Sequence, residues 1–142
     1  MSDPARHPDS RPTLNAQRST RVVLIEDDPD LRRVVQLTLQ FGAGWTVDTA
    51  ADGRAGIEMV KRVEPDLVLV DLMMPGMDGY EVCRRLVSDA TTKRIPIVLL
   101  TARQNLDPER VRASGARGVI TKPFDLDALA PAIVRLCQEE KR

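Results

Sequence analysis

The chain has 142 residues, 42% of them hydrophobic and 30% charged, a length and balance that fit one globular domain and exclude disordered, collagen-like and coiled-coil classes for its bulk. Lys and Arg total 21 against 21 Asp and Glu, and only four residues are aromatic, so the chain has neither the basic surplus that neutralises nucleic-acid phosphates nor the rings that stack on bases. No apolar run nears the roughly 18 residues of a membrane-spanning helix, and the polar opening MSDPARHPDS is unlike a signal peptide, which together point to the cytoplasm.

Residues 1 to 20 carry Pro4, Pro8, Pro12 and three arginines, with Leu14 as their only large apolar residue beside Met1. Such a segment buries too little surface to offset its ordering entropy, and it is expected to be a flexible N-terminal tail. The folded unit is then 21 to 142, where 18 basic residues nearly balance 19 acidic ones. It opens with the apolar run Val22 to Ile25. Asp28 and Pro29 next read as N-cap and first helical residue, followed by a stripe of Leu31, Val34, Val35 and Leu39. This helix is expected over about Pro29 to Phe41, ended by Gly42 and Gly44. Trp45 to Thr49 alternates like an edge strand. A second helix starts at Asp52 or Gly53, turns Ile57 and Val60 inward and stops before Pro65.

Leu67 to Val70 is a second continuous apolar run, and Asp78 to Ala90 a third helix with Val82, Cys83 and Leu86 on one stripe. Ile95 to Leu100 is the next run, Asp107 and Pro108 open a short helix closed by Gly115, and Val119 to Ile120 is the last run. Asp125 caps a final helix to about Gln138, in which Pro131 removes one backbone hydrogen bond and predicts a kink. Strands apolar on both faces belong to a parallel sheet covered on both sides, and five strand–helix alternations argue for a doubly wound α/β fold.

In such sheets ligands bind at the carboxyl ends of the strands. Those ends hold Glu26, Asp27 and Asp28, then Asp71, then Thr101, then Thr121, Lys122 and Pro123. Crowded carboxylates repel unless a cation joins them, and Mg²⁺, a hard ion taking one or two carboxylates together with phosphate oxygens, suits this set. Acids, a hydroxyl and an amine at one rim describe a phosphoryl-transfer site in which a carboxylate attacks phosphorus and Lys122 pairs with a phosphoryl oxygen.

The segments LIEDDPDLRR, DLVLVDLMMPGMDGYEV, IPIVLLTA and GVITKPF, in that order, resemble the receiver domain of two-component response regulators over about residues 21 to 138. The resemblance is to single-domain, chemotaxis-regulator-like members. It implies a flavodoxin-like five-stranded sheet of order 2-1-3-4-5. It also implies Asp71 as acceptor of phosphate from a histidine kinase, phosphotransfer protein or small donor, with Thr101 as switch hydroxyl and Lys122 as its cationic partner. The metal set it implies is Glu26 through water, Asp27 and Asp71 directly, and the backbone carbonyl of Met73. Asp28 is left as a helix cap, and a cis bond is expected between Lys122 and Pro123. The protein would act as a phosphorylation-activated switch, not a conventional enzyme, working on an unknown downstream partner as a monomer or a weak phosphorylation-dependent homodimer.

Two features depart from the family's pattern. Val119 stands where an aromatic residue is frequent three positions before the lysine, which puts the usual readout through the fourth helix, fifth strand and fifth helix in question. After Arg142 no output domain follows, so the chain is either a stand-alone regulator that acts by docking or a piece of a longer one. Two rival functions are a phosphorylation-independent adaptor on the same scaffold and an aspartyl-phosphate phosphatase. The phosphatase would want a second Asp two residues after the first, where Met73 stands, and so would lack a general acid.

Met73, Met74 and Met77 read as loop packing, and Arg84, Arg85, Arg110 and Arg112 as solvated helix faces. His7, the only histidine, lies in the tail and lacks support as a phosphohistidine. Cys83 and Cys137, on helices that the 2-1-3-4-5 order places on opposite sheet faces, are expected to be two free thiols.

Overall fold

The structure, a computed structural model, describes residues 19–138, so the expected tail falls outside the described residues except for Ser19 and Thr20. Ten elements alternate along the chain: β1 (Arg21–Ile25), α1 (Pro29–Ala43), β2 (Thr46–Ala50), α2 (Gly53–Val63), β3 (Leu67–Asp71), α3 (Gly79–Ser88), β4 (Ile97–Thr101), α4 (Pro108–Ser114), β5 (Gly118–Thr121) and α5 (Leu126–Gln138). The strands form one parallel sheet of order β2-β1-β3-β4-β5. The doubly wound architecture read from the alternation is the one observed.

The two-residue period of the strands sorts their side chains between two cores. Val23, Ile25, Val68, Val70 and Leu99 face Val60 of α2 and Val82, Cys83 and Leu86 of α3. Val22, Leu24, Leu67, Leu69, Val98 and Leu100 face Val35 and Leu39 of α1 and Leu129 and Ile133 of α5. Both faces of β1, β3 and β4 are thereby covered, which is why those runs lack polar alternation. Cys83 lies in the first core and Cys137 packs against the second, and both are free thiols. Leu69 is fully buried on the central strand. Leu69→Ala is expected to lower unfolding free energy by about 2–5 kcal/mol, measured by urea titration.

Caps define the helix ends. Asp28 accepts from the amides of Asp30 and Leu31, Asp52 from Ala55, Asp78 from Glu81, Asp107 from Glu109 and Asp125 from Asp127. Helix α1 runs through Gly42 and stops at Gly44, whose φ of +73° is a left-handed cap that a side chain would strain. Helix α5 continues through Pro131.

Two boundaries and the burial of one strand stand out against the sequence reading. Helix α3 ends at Ser88 rather than Ala90, because the Asp89 carboxylate accepts from the Thr91 amide and hydroxyl and turns the chain. Strand β4 starts at Ile97, because Pro96 has no N–H to give to the ladder, although its carbonyl accepts from Val68. Strand β5 is only half-buried, since it is the sheet's second edge beside β4.

Candidate phosphoryl-transfer site

The carboxyl ends of β1, β3, β4 and β5 meet at one rim. The Glu26 amide extends the β1 ladder by donating to Ala50 O at 3.0 Å, and the Arg32 guanidinium donates to Glu26 O at 2.8 Å. Two bonds therefore fix the Glu26 backbone, and its side chain is 1% exposed. Asp28 is spent on capping α1, as its position before Pro29 indicated. Asp71 ends β3, is 5% exposed, and accepts from the Met73 amide through Oδ1 at 3.1 Å.

Lys122 follows β5. Its amide donates to Thr101 O at 2.7 Å, and the bond to Pro123 is cis. Its ammonium lies 3.2 Å from Glu26 Oε1 and 3.5 Å from Asp71 Oδ1. Carboxylate oxygens of Glu26, Asp27 and Asp71 come within 4.8 Å of one another. Thr101 is fully buried at the end of β4, and its hydroxyl accepts from the Arg103 amide at 3.0 Å. The candidate residues Glu26, Asp27, Asp71 and Lys122 thus form one cluster. Thr101 is tied to it through the Lys122 backbone, and Met73 through its amide.

Three carboxylates face one ammonium. Burial pushes the Glu26 carboxyl up to about 7, helped by its hydrogen bond to Asp71 and by the Asp71 charge, against lowering by the Asp28 amide and by Lys122. The donors are all hard oxygens with a surplus of negative charge, a set that fits a hard divalent cation such as Mg²⁺ and not a soft metal. Because Glu26 holds a proton below about pH 7, cation binding competes with that proton. Mg²⁺ affinity is therefore expected to fall by up to about tenfold per pH unit on acidification below 7 and to level off above 8, measured by calorimetry at constant ionic strength.

The same linkage acts on folding. The raised pKa stabilises the metal-free fold at pH below the unfolded value of 4.5, and that contribution is lost as pH rises through about 7.

The family description "Response regulator receiver domain" matches residues 22–134. The chain belongs to this family. The receiver domain is 36% identical over 124 residues to the DNA-binding dual master transcriptional regulator RpaA of a Synechocystis species, an alignment covering 86% of this chain and 51% of that protein. It is 40% identical over 121 residues to response regulator PleD of Caulobacter vibrioides, covering 82% of this chain and 26% of that protein. The chain therefore spans about half the length of one such relative and a quarter of the other.

Among solved structures it is similar to chemotaxis response regulator CheY4 of Vibrio cholerae, with a TM-score of 0.78 and 29% identity over 84% of this chain and 99% of that one. It is also similar to the receiver domain of sensor histidine kinase PA1611 from Pseudomonas aeruginosa, with a TM-score of 0.76 and 28% identity over 86% of this chain and all of that one. In that structure a magnesium ion is coordinated in the active-site cleft. Receiver domains are signalling domains rather than conventional enzymes, and their partners are histidine kinases or phosphotransfer proteins.

Several contacts of this receiver domain escaped the sequence reading. Arg32 bonds the Glu26 carbonyl from the next helix, and nothing in its helical spacing singles it out. Gly79 donates to Leu72 O at 2.9 Å, and a Cβ there would stand 2.9 Å from Asp71 O, so only glycine lets α3 start this close to Asp71. Arg110 is not simply solvated, because its guanidinium stacks 4.4 Å from the Tyr80 ring centroid. Met74 packs in the core and Met77 against it, whereas Met73 is 54% exposed, which corrects the reading of all three as packing.

Proposed function

We propose that this receiver domain is a phosphorylation-activated switch in which Asp71 takes a phosphoryl group from a histidine kinase, a phosphotransfer protein or a small phosphodonor. The carrying observation is the position of Lys122, whose ammonium reaches both Glu26 and Asp71 at a rim where three carboxylates converge. An Asp71 carboxylate oxygen attacks phosphorus, the donor's P–N or P–O bond breaks, and the leaving group keeps that electron pair. Glu26, Asp27, Asp71 and the Met73 carbonyl would hold Mg²⁺, which supplies charge neutralisation for the phosphoryl oxygens. Lys122 moves from its carboxylate partners to a phosphoryl oxygen. The Thr101 hydroxyl has one donor and two acceptor sites, so it donates to another phosphoryl oxygen while still accepting from Arg103.

The phosphorylated form would differ in the surface it offers a downstream partner, with residues 21 to 142 as the working domain, in the cytoplasm, as a monomer or a weak phosphorylation-dependent dimer. Among the described residues, no helix is long and apolar enough to cross a membrane. The phosphatase reading lacks a proton donor, since the residue two beyond Asp71 is the exposed thioether of Met73. The adaptor reading is distinguished by partner binding that Asp71→Asn leaves unchanged.

Incubation with acetyl phosphate and Mg²⁺ should add one phosphate by intact mass, with any association read by size exclusion. A folded chain that stays unmodified overturns the proposal.

A further inference from the structure

Exposed apolar surface is gathered on one side of the molecule. Among the described residues, Val34, Leu37 and Phe41 of α1 and Leu126 of α5 are large hydrophobic side chains open to solvent, and Phe41 is 83% exposed. Positions 34, 37 and 41 fall on one stripe of α1, turned away from the core residues Val35 and Leu39. Helices α1 and α5 pack side by side over the same sheet face and point the same way, because each returns from the carboxyl end of a parallel strand. Between them an open groove of about 710 Å³, lined in part by Thr38, Trp45, Ala130 and Val134, carries the apolar surface from one helix to the other. A patch that joins two helices in this way marks a binding surface rather than scattered exposure.

The charges on this face select the occupant. Asp127 and Arg135 stand four residues before and after Pro131, all three exposed and all lining the groove, so each charge lies about 6 Å from Pro131 along the axis of α5. Among the described residues neither the Asp127 carboxylate nor the Arg135 guanidinium has an ion-pair or hydrogen-bond partner. A parallel crossing of α5 with a second copy would set like charges together. An antiparallel crossing at Pro131 sets Asp127 of each copy against Arg135 of the other, so one arrangement satisfies both charges twice. In α1, which points the same way, an antiparallel crossing at Leu37 sets Phe41 of each copy against Val34 of the other. The face is thus complementary to itself, with apolar contacts from α1 and opposite charges from α5.

We propose that α1 and α5 form a docking face for a second copy of this chain, in a two-fold antiparallel arrangement held by Leu37 and Phe41 and oriented by the Asp127–Arg135 pairs. None of these residues belongs to the Asp71 cluster. The association therefore needs no phosphoryl group, and it goes beyond the switch proposed above.

The test is sedimentation velocity of the full, unphosphorylated chain over a concentration series. Wild type is expected to pass from monomer to dimer as concentration rises, and Asp71→Asn to do the same. Phe41→Ser, at a side chain too exposed to matter for folding, should weaken the association by at least about tenfold, since each dimer loses two buried rings. Asp127→Arg and Arg135→Asp should each weaken it by about two- to thirtyfold, because both pairs are lost at once. The double variant Asp127→Arg/Arg135→Asp should regain it, and an equimolar mixture of the two single variants should form heterodimers. That mixture keeps the test decisive even if the double variant fails to fold. A wild type that stays monomeric at the highest concentration leaves this face to a different protein and overturns the proposal. A dimer indifferent to Phe41→Ser, or single variants whose mixture does not associate, overturns it too. Association that appears only after treatment with acetyl phosphate belongs to the switch at Asp71 and counts against this face.

Discussion

Asp71→Asn is expected to abolish phosphorylation by acetyl phosphate, with no added mass where the wild type gains one phosphate. The amide oxygen is neutral and a poor nucleophile, and no other carboxylate takes its place. Asp27 lies on a different strand end, and Glu26 holds its proton up to about pH 7. The fold should survive, because the asparagine carbonyl can still accept from the Met73 amide as Asp71 Oδ1 does at 3.1 Å. Removing one of three crowded carboxylates also relieves repulsion. The Glu26 carboxyl then falls towards its ordinary range, since the Asp71 hydrogen bond and charge both raise it. A variant that melts like wild type yet stays unmodified locates the chemistry at Asp71, and one that is modified at the wild-type rate contradicts the assignment.

Lys122→Ala should slow phosphorylation by about 10² to 10³-fold, the usual effect of deleting one preorganised donor to developing charge. Among the described residues Lys122 is the one cation recorded in an ion pair with the Glu26 and Asp71 carboxylates, since Arg32 bonds only the Glu26 backbone carbonyl. Its loss also takes away one influence that lowers the Glu26 pKa, so Glu26 stays protonated to higher pH and the Mg²⁺ affinity curve moves the same way. The time course of intact mass under excess donor measures the rate. A change of less than about threefold would place Lys122 outside the reacting geometry.

Most of the rim was legible before the structure for a physical reason. In a parallel sheet buried on both faces, strands read as continuous apolar runs, so the first polar residue after each run marks a strand's carboxyl end. Glu26, Asp71 and Thr101 were found in this way, Lys122 was reached one residue beyond Thr121, the first polar residue after the last run, and Asp28 was separated from the site by the proline after it. Contacts between elements were not legible. The Arg110–Tyr80 stack joins residues 30 positions apart, and each alone reads as an ordinary helix residue. The half-exposure of β5 does not show in Val119 and Ile120 themselves, which are as apolar as a central strand; it follows from the strand order, which the family resemblance implied and the residues alone did not. Arg32 was missed because a side chain bonding a carbonyl leaves no pattern in the sequence.

A Mg²⁺-dependent phosphoryl acceptor at Asp71 can be mapped covalently. Its most direct test treats wild-type protein with acetyl phosphate, with and without Mg²⁺, reduces the product with borohydride and maps the modified residue by peptide mass. Conversion is expected at Asp71 alone, and only with the metal present. Conversion at Glu26 or Asp27, or equal conversion of Asp71 in chelator, would contradict it.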